Sequence, residues 1–588
     1  MKFMKREDAI RFLLVATVLA GGFFYSCSTG KPDGEYTIEL YSQNDVHGRY
    51  FDSLYVGGQE HRSSMANVAG FIKERRRAVG EDRVVLIDAG DNLQGDNAAY
   101  YFNYVEVPAS AADTTRHLFS RIVNYLKFDA VVVGNHDIET GHPVYDRIKR
   151  ELKMPYLAAN AVKTDGSGES YFQPYTVLDK NGIKIAVIGM TNPNIKKWLA
   201  RSLWDGMDFL PIQNIADSVI TAVIAKEKPH LVVLAMHAGL GDGTVGDNEN
   251  PARYLAARLQ NVDIILSSHD HFKANEKIWN GRDSVLLLEG GARGEMLSAA
   301  DIKLVMKNGR VVSKDISGRL INLADTPKDS EYLALFREDF NKVKAFTNKK
   351  IGSLPRDVKT ADAFFGPSDY MDIIHYAQLN ETGADISFAA PLTSNGVIKA
   401  GDLNYQDLFT LYPFENQLYT VRLTGEQVKN YLEFSYDMWI NTMKSKADHI
   451  LKIAYNDKSG KYRFKGMSFN FDAGAGIDYL VDVTKPYGER ITISGFSNGN
   501  EFSADSTYQV AISSYRANGG GDLLVKGAGV PAGELENIVT GRYPEMRDVI
   551  YKNFSAGNFR QLPEYRNWKF VPETYSKEAL KRDRALMF

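Results

Sequence analysis

The 588-residue chain contains 11 histidines. Five of them fall in short polar motifs of one kind. These are Asn44-Asp45-Val46-His47-Gly48, Gly134-Asn135-His136-Asp137, Met236-His237-Ala238-Gly239 and Ser267-Ser268-His269-Asp270-His271, with Asp88-Ala89-Gly90-Asp91 as an acidic companion. Imidazole, carboxylate and carboxamide donors without thiolate suit Zn, Mn, Fe or Co. The single cysteine, Cys27, lies in none of these motifs, so a closed thiolate zinc knot is excluded. The donors outnumber what one ion takes, and two ions sharing a bridging carboxylate would use them. Such a pair clamps the attacking and leaving oxygens of an in-line displacement and activates water.

Each motif follows a short apolar run: Tyr36–Tyr41, Arg83–Ile87, Ala130–Val133, Leu231–Ala235 and Val262–Leu266. The runs are rich in β-branched residues and bounded by polar or glycine residues, the marks of buried strands. Ile183–Ile188 is a further run of this type, and helical spacing covers Met65–Arg77 and Asn214–Lys226. Strands alternating with helices argue for an α/β domain. Ligands of open α/β sheets collect beyond the carboxyl ends of the strands, where all five motifs lie. A charged stretch follows from about Asp325 to Lys350, with helical spacing at Leu333, Phe336, Phe340 and Val343, and reads as a linking helix. A second set of strands and helices runs to about residue 560, and Lys577–Arg584 lies in a charged tail.

Asn44-Asp45-x-His47-Gly48, Gly90-Asp91-x-x-x-Gly95, Gly134-Asn135-His136-Asp137, His237-x-Gly239 and His269-x-His271 resemble, in order, the five motifs of the calcineurin-like metallophosphoesterases. Within that group the chain resembles the 5′-nucleotidase family. The resemblance implies a four-layer α-β-β-α metallophosphoesterase domain at 36–322, a linking helix at 323–352 and an α/β 5′-nucleotidase-type substrate-binding domain at 353–560. A tail at 561–588 follows. It also implies two divalent ions, Zn, Mn, Fe or Co. Asp45, His47, Asp91 and His271 would hold the first. Asp91, Asn135, His237 and His269 would hold the second, with Asp91 bridging. The last ligand is Gln in many 5′-nucleotidases and is His271 here. His136 would approach the phosphate from outside the metal shell, and Glu139 stands where the family pattern has the Asp that orients it.

In the second half, Gly383-Ala384-Asp385-Ile386, Tyr412-Pro413-Phe414-Glu415-Asn416-Gln417 and Ser514-Tyr515-Arg516-Ala517-Asn518-Gly519-Gly520-Gly521 resemble the substrate-binding domain of the same family. By that resemblance Phe414 and Tyr515 sandwich the nucleobase and Asn416 hydrogen-bonds near it. Stacking serves any base because every base has a π-face. Typical 5′-nucleotidases carry a substrate-contacting Arg after the Gly-Ala-Asp segment, but Ala389-Ala390-Pro391-Leu392-Thr393-Ser394-Asn395-Gly396 has none. Together with Gly476–Pro486 and Ser514–Ala517, this stretch is more similar to the bacterial 2′,3′-cyclic-nucleotide 2′-phosphodiesterase/3′-nucleotidase branch. A 5′-nucleotidase or nucleotide-sugar pyrophosphatase would use the same metals, and a surface binding protein with a vestigial metal site would keep the fold without the turnover. Some relatives of this fold are thiosulfohydrolases, a chemistry for which the stacking pair has no use.

Composition is that of a soluble globular protein, with 44% hydrophobic and 24% charged residues and a net charge of −3. That balance supplies no basic field for tracking a nucleic-acid polymer and leaves room for a small anionic substrate, which a few local cations or metals are enough to hold. Lys2, Lys5 and Arg6 precede an apolar run from Ile10 to Tyr25, shorter than the roughly 20 residues of a spanning helix. This is a signal-peptide pattern. Cys27 with Ser28, Thr29 and Gly30 resembles a lipoprotein cleavage site, although Phe24 stands where Leu is more usual; a plain cleaved signal or an uncleaved anchor is the alternative. The expectation is a signal at 1–27, a tether at 28–35, and an exported protein, periplasmic or at the cell surface, held to a bacterial membrane through lipidated Cys27.

Overall fold

The computed structural model describes residues 33–107, 115–457 and 460–588. Cys27 and the signal-like segment lie outside the described residues. The chain divides into two compact units. One takes the residues up to Lys196 together with Arg201–Ala345, and the other takes Phe346–Phe588 with Lys197–Ala200.

The first unit is built on two six-stranded sheets. One contains β1 (Gly34–Gln43), β2 (Val84–Asp88), β3 (Ala130–Val132) and β4 (Tyr156–Leu157). The other contains β5 (Tyr175–Lys180), β6 (Ile183–Thr191), β7 (Leu231–His237), β8 (Ile264–Leu266), β9 (Lys273–Trp279) and β10 (Ser284–Gly290). The chain then returns to the first sheet as β11 (Met296–Lys307) and β12 (Arg310–Asn322). The strand orders are β12-β11-β1-β2-β3-β4 and β9-β10-β8-β7-β6-β5. In each sheet four adjacent strands run parallel: β1 to β4 in one, and β6, β7, β8 and β10 in the other. Antiparallel strands close the edges.

Residues of both sheets form one shared core. Ile38, Leu40, Val85, Ile87 and Val132 from the first pack with Ile185, Val187, Val233, Leu266 and Leu288 from the second. The opposite face of the second sheet, including Ala186, Ile188 and Leu234, is covered by Ile215, Val219, Ile220 and Val223 of the helix Ile212–Glu227. Because both faces of β2 and β7 are covered, every residue of each is buried. This is why they read as unbroken apolar runs rather than alternating ones. The helix Met65–Val79 turns Met65, Val68, Ala69 and Ile72 inward, with Phe71 edge-on to Tyr41 of β1 at 5.3 Å.

The charged stretch after β12 forms two helices, Ser330–Leu335 and Arg337–Thr347, meeting at Phe336. The first helix and the second as far as Ala345 belong to the first unit. The Tyr332 hydroxyl donates to the Tyr50 carbonyl, and buried Asp339 takes two bonds from Arg121 at 2.7 and 2.9 Å. The second unit centres on a five-stranded sheet ordered Ala473–Ala475, Ile386–Ala389, Thr507–Ser513, Gln417–Thr424 and Val539–Glu545. The final segment, Glu573–Met587, is a helix that buries Asp583 against His449 at 2.5 Å. Among the described residues no helix is long and apolar enough to cross a membrane.

Candidate metal centre and base-binding aromatics

The carboxyl ends of β1, β2, β3, β7 and β8 bring the histidine motifs to one place. Asp45, His47 and His271 form one donor cluster, and Asp91, His237 and His269 form a second. Within the first, Asp45 Oδ1 lies 3.8 Å from His47 Nε2 and 3.6 Å from His271 Nε2, and the two imidazole nitrogens are 3.1 Å apart. Within the second, Asp91 Oδ2 lies 3.0 Å from His237 Nε2. Asp45 Oδ1 is also 4.0 Å from His237 Nε2, so the clusters adjoin. Asn135 opens the short helix Asn135–Glu139 directly after β3.

The hydrogen bonds behind these side chains decide which ring atoms are offered. His237 Nδ1 sits 2.9 Å from the Ala89 carbonyl, and His47 Nδ1 sits 3.2 Å from the Gln94 carbonyl. A carbonyl only accepts, so each ring donates there and presents the Nε2 lone pair to its cluster. That leaves His237 Nε2 facing a carboxylate, two acceptors 3.0 Å apart, an arrangement that needs a cation between them or a proton on the ring. Asp45 Oδ1, His237 Nε2 and Asn135 Oδ1 are buried without a hydrogen-bond partner. Such orphaned groups are costly unless something binds them. The charges agree. Burial disfavours the charged form of His237, yet Asp91 and Asp45 raise its pKa to about 9. Burial alone would lift Asp45 and Asp91, but the surrounding histidines hold both carboxyls below the ordinary range. The donor set therefore fits two divalent cations.

The backbone is bent to make the cluster. Asp45, His47, Asp91, His269 and His271 all have positive φ, between 49° and 84°. Non-glycine residues adopt this conformation at a cost and persist there only where the surroundings over-determine them. Asp137 is the chief constraint on Asp91. Its carboxylate accepts the backbone N–H groups of Gly134 (2.8 Å), Asn92 (2.9 Å), Asp91 (3.2 Å) and Leu93 (3.2 Å). Gly134 is required by proximity, because a Cβ there would stand 2.1 Å from Asp91 Oδ1. Asp45 is held by the Asn44 amide at 2.7 Å and the His269 N–H at 3.0 Å.

His136 lies beside both clusters. Its ring is 5.5 Å from that of His47, and its backbone N–H donates to Asp91 Oδ1 at 2.8 Å. Its Nδ1 is 2.5 Å from Glu139 Oε2, so the longer acidic side chain at that position reaches the ring.

In the second unit Phe414 and Tyr515 are half-buried. Each makes edge contact with a third half-buried aromatic that no motif pointed to: Phe469 lies 6.0 Å from Phe414 and 6.4 Å from Tyr515. Arg516 ties these segments together. Its guanidinium donates to Asp472, to Asn470 Oδ1 at 2.9 Å, to the Phe469 carbonyl and to the Gly520 carbonyl. Asn416 donates to the Tyr412 hydroxyl at 3.3 Å, and its carbonyl accepts the Met546 N–H.

Residues 43–273 match the calcineurin-like phosphoesterase family, and residues 345–526 match the 5′-nucleotidase C-terminal domain family. The chain carries a calcineurin-like phosphoesterase domain followed by a 5′-nucleotidase C-terminal domain. It is a phosphoester hydrolase of the two-domain nucleotidase type. Among curated relatives, the trifunctional nucleotide phosphoesterase of Bacillus subtilis is 25% identical over 91% of this metallophosphoesterase, which spans only 39% of that protein's length. The 2′,3′-cyclic-nucleotide 2′-phosphodiesterase/3′-nucleotidase of Haemophilus influenzae is 23% identical over 97% of this chain and 92% of its own. A candidate 5′-nucleotidase of Staphylococcus aureus, solved with alpha-ketoglutarate, superposes with a TM-score of 0.73 at 20% identity. That match covers 91% of this chain and 100% of the other and shows a shared fold.

Proposed function

We propose that this metallophosphoesterase hydrolyses 2′,3′-cyclic nucleotides and 3′-nucleotides. The observation that carries the branch is the state of the arginines. The stretch 389–396 contains none. Arg516, which follows the stacking candidate Tyr515, is buried and committed to Asp472, Asn470, Phe469 and Gly520. The aromatic trio Phe414, Phe469 and Tyr515 thus supplies base stacking without the substrate-contacting arginine of typical 5′-nucleotidases.

Two divalent ions, when bound, supply charge neutralisation and an activated water. Asp45, His47, Asp91 and His271 would hold one, and Asp91, Asn135, His237 and His269 the other, Asp91 being the shared carboxylate. His136 acts outside that set. With Glu139 against Nδ1, its Nε2 would hold a proton at the departing ribose oxygen. Asp137 and Gly134 keep Asp91 in its strained backbone position. Phe414 and Tyr515 bind the base by their faces, and Asn416 lies beside them.

For the cellular setting we propose an exported protein anchored through Cys27. Replacing Cys27 with Ala should release the mature chain from the membrane fraction, and unchanged partition would refute the anchor.

The deciding assay is initial rates on 5′-AMP, 3′-AMP, 2′,3′-cyclic AMP and bis-p-nitrophenyl phosphate, with added Mn or Co and with EDTA. Turnover led by the cyclic and 3′ substrates and abolished by EDTA is expected. A preference for 5′-AMP would keep the metal chemistry and overturn the branch, and no hydrolysis with bound metal would favour a binding protein.

A further inference from the structure

The segment that carries Phe414 and Asn416 is gripped by a buried cation that none of the sequence motifs includes. We infer that Arg547 is a positioning residue for base binding, holding the Tyr412–Asn416 segment in place against the segment that carries Tyr515. This role presupposes the base-binding reading of Phe414, Asn416 and Tyr515 and deepens it.

Arg547 is the second residue of the helix Met546–Ser555, which follows directly on the strand Val539–Glu545. Its side chain is completely buried. The guanidinium touches the chain both before and after Phe414. The helix Tyr405–Leu411 leads into the Tyr412–Asn416 segment, and the guanidinium carbon stands 4.3 Å over the ring of its Phe409. Just past Phe414, Arg547 Nη2 lies 3.1 Å from Glu415 Oε1, and the Glu415 side chain is buried with it. Nε donates to Glu545 Oε1 at 2.9 Å, at the end of the preceding strand. The neighbouring Met546 N–H adds a main-chain bond to the Asn416 carbonyl at 2.9 Å.

The same segment is bonded to the other half of the aromatic pair. The Gln417 N–H donates to Ser514 Oγ at 3.1 Å, one residue before Tyr515. Residues 415–417 are thus tied to the Arg547 helix and to the Tyr515 segment together.

A guanidinium suits this position and an ammonium does not. Its plane stacks on an aromatic face while its N–H groups reach two carboxylates at once. A buried ion pair is a weak source of stability, because desolvation offsets the attraction, and apolar side chains of similar volume often replace one without loss. What it supplies is a single arrangement of the groups it joins. Here those groups are Phe409 and Glu415, on either side of the stacking candidate in the chain. Stacking is sensitive to such placement, since a gap of about 0.5–1 Å already forfeits a quarter to a half of the dispersion attraction.

The test compares the Mn-loaded full chain as wild type, Arg547→Lys and Glu415→Gln. Glu415→Gln leaves Arg547 its Glu545 partner, so it removes the link to the base-binding segment without stranding a buried charge. The readouts are calorimetric binding of adenosine and steady-state kinetics on 3′-AMP and on p-nitrophenyl phosphate. Both variants should weaken adenosine binding and raise KM for 3′-AMP by about tenfold, a partial loss of the stacking contacts. The kcat for 3′-AMP and both constants for the aryl phosphate should be unchanged. Wild-type adenosine affinity and KM in both variants would overturn the positioning role while the base-binding reading stood. Equal losses on both substrates, or a near-UV circular dichroism spectrum that collapses in both variants, would also overturn it, since the cluster would then be structural. A wild-type chain that bound no adenosine would overturn the base-binding reading and the positioning role with it.

Discussion

Replacing Asp137 with Asn should loosen the metal centre without touching a ligand. The Asp137 carboxylate receives four backbone N–H groups, two on each oxygen. Burial and the neighbouring Asp91 raise its pKa, while the Gly134 and Asn92 N–H bonds pull it back. An asparagine keeps one oxygen and turns an NH2 toward two donors. Two charge-assisted bonds become neutral ones, at about 1 kcal/mol each, and two buried N–H groups lose their acceptor, at about 1–3 kcal/mol each. The sum is about 4–8 kcal/mol. For a unit of roughly 300 residues, whose unfolding entropy is about 2.1 cal/mol/K per residue, 4 kcal/mol corresponds to about 6 °C in Tm. Asp91 would also relax from its left-handed conformation, weakening Mn binding by about 10–100-fold, the usual cost of losing a ligand's support. Scanning calorimetry of the metal-free protein reads the first effect and Mn titration the second. A variant that melts with the wild type and binds Mn equally well would refute the role given to Asp137.

Other expectations follow from the same geometry. His136→Ala should keep both metals by elemental analysis and lose about 10²–10⁴-fold in kcat; loss of metal instead would place His136 among the ligands. Phe414→Ala should raise KM for nucleotides by an amount corresponding to about 1–3 kcal/mol while barely changing turnover of a small aryl phosphate. Equal effects on both substrates would mean a purely structural side chain. His117, buried with Nδ1 accepting the Phe119 N–H and Nε2 on Asn103, has its pKa driven down by burial to about 3. The unfolded chain binds that proton more readily, so the stability from His117 is full above pH 6.5 and declines as pH falls toward 3, by about 2 kcal/mol at pH 5. Urea unfolding of His117→Asn should show a shallower loss of stability between pH 6.5 and 5, and an unaltered pH profile would count against it.

The candidate ligand motifs were legible because each sits just past a buried parallel strand, where apolar β-branched residues give way abruptly to Asp, Asn and His. The strands were legible for the same reason: β2 and β7 are covered on both faces and carry no polar alternation to confuse with a helix. Asp137 stood in a quoted motif, yet its role was hidden, since its partners are backbone N–H groups in two loops that only the fold brings together. An acidic residue three positions into a helix after a glycine was the available signal. Phe469 had none, lying in a single turn, Ser468–Asn470, between strands. The spacing of Leu333, Phe336, Phe340 and Val343 suggested one helix because the pattern of buried positions continues across the break at Phe336.

The candidate ligands come from Asp45 through His271 and from strands of two different sheets. No segment of the chain holds a complete set, and neither sheet alone supplies both clusters. A nascent or unfolded chain therefore has no site to load, and the cation is chosen only after both sheets have closed over their shared core. What the site takes up is therefore decided by the folded protein's own donors and by the ions that surround it once folding is complete.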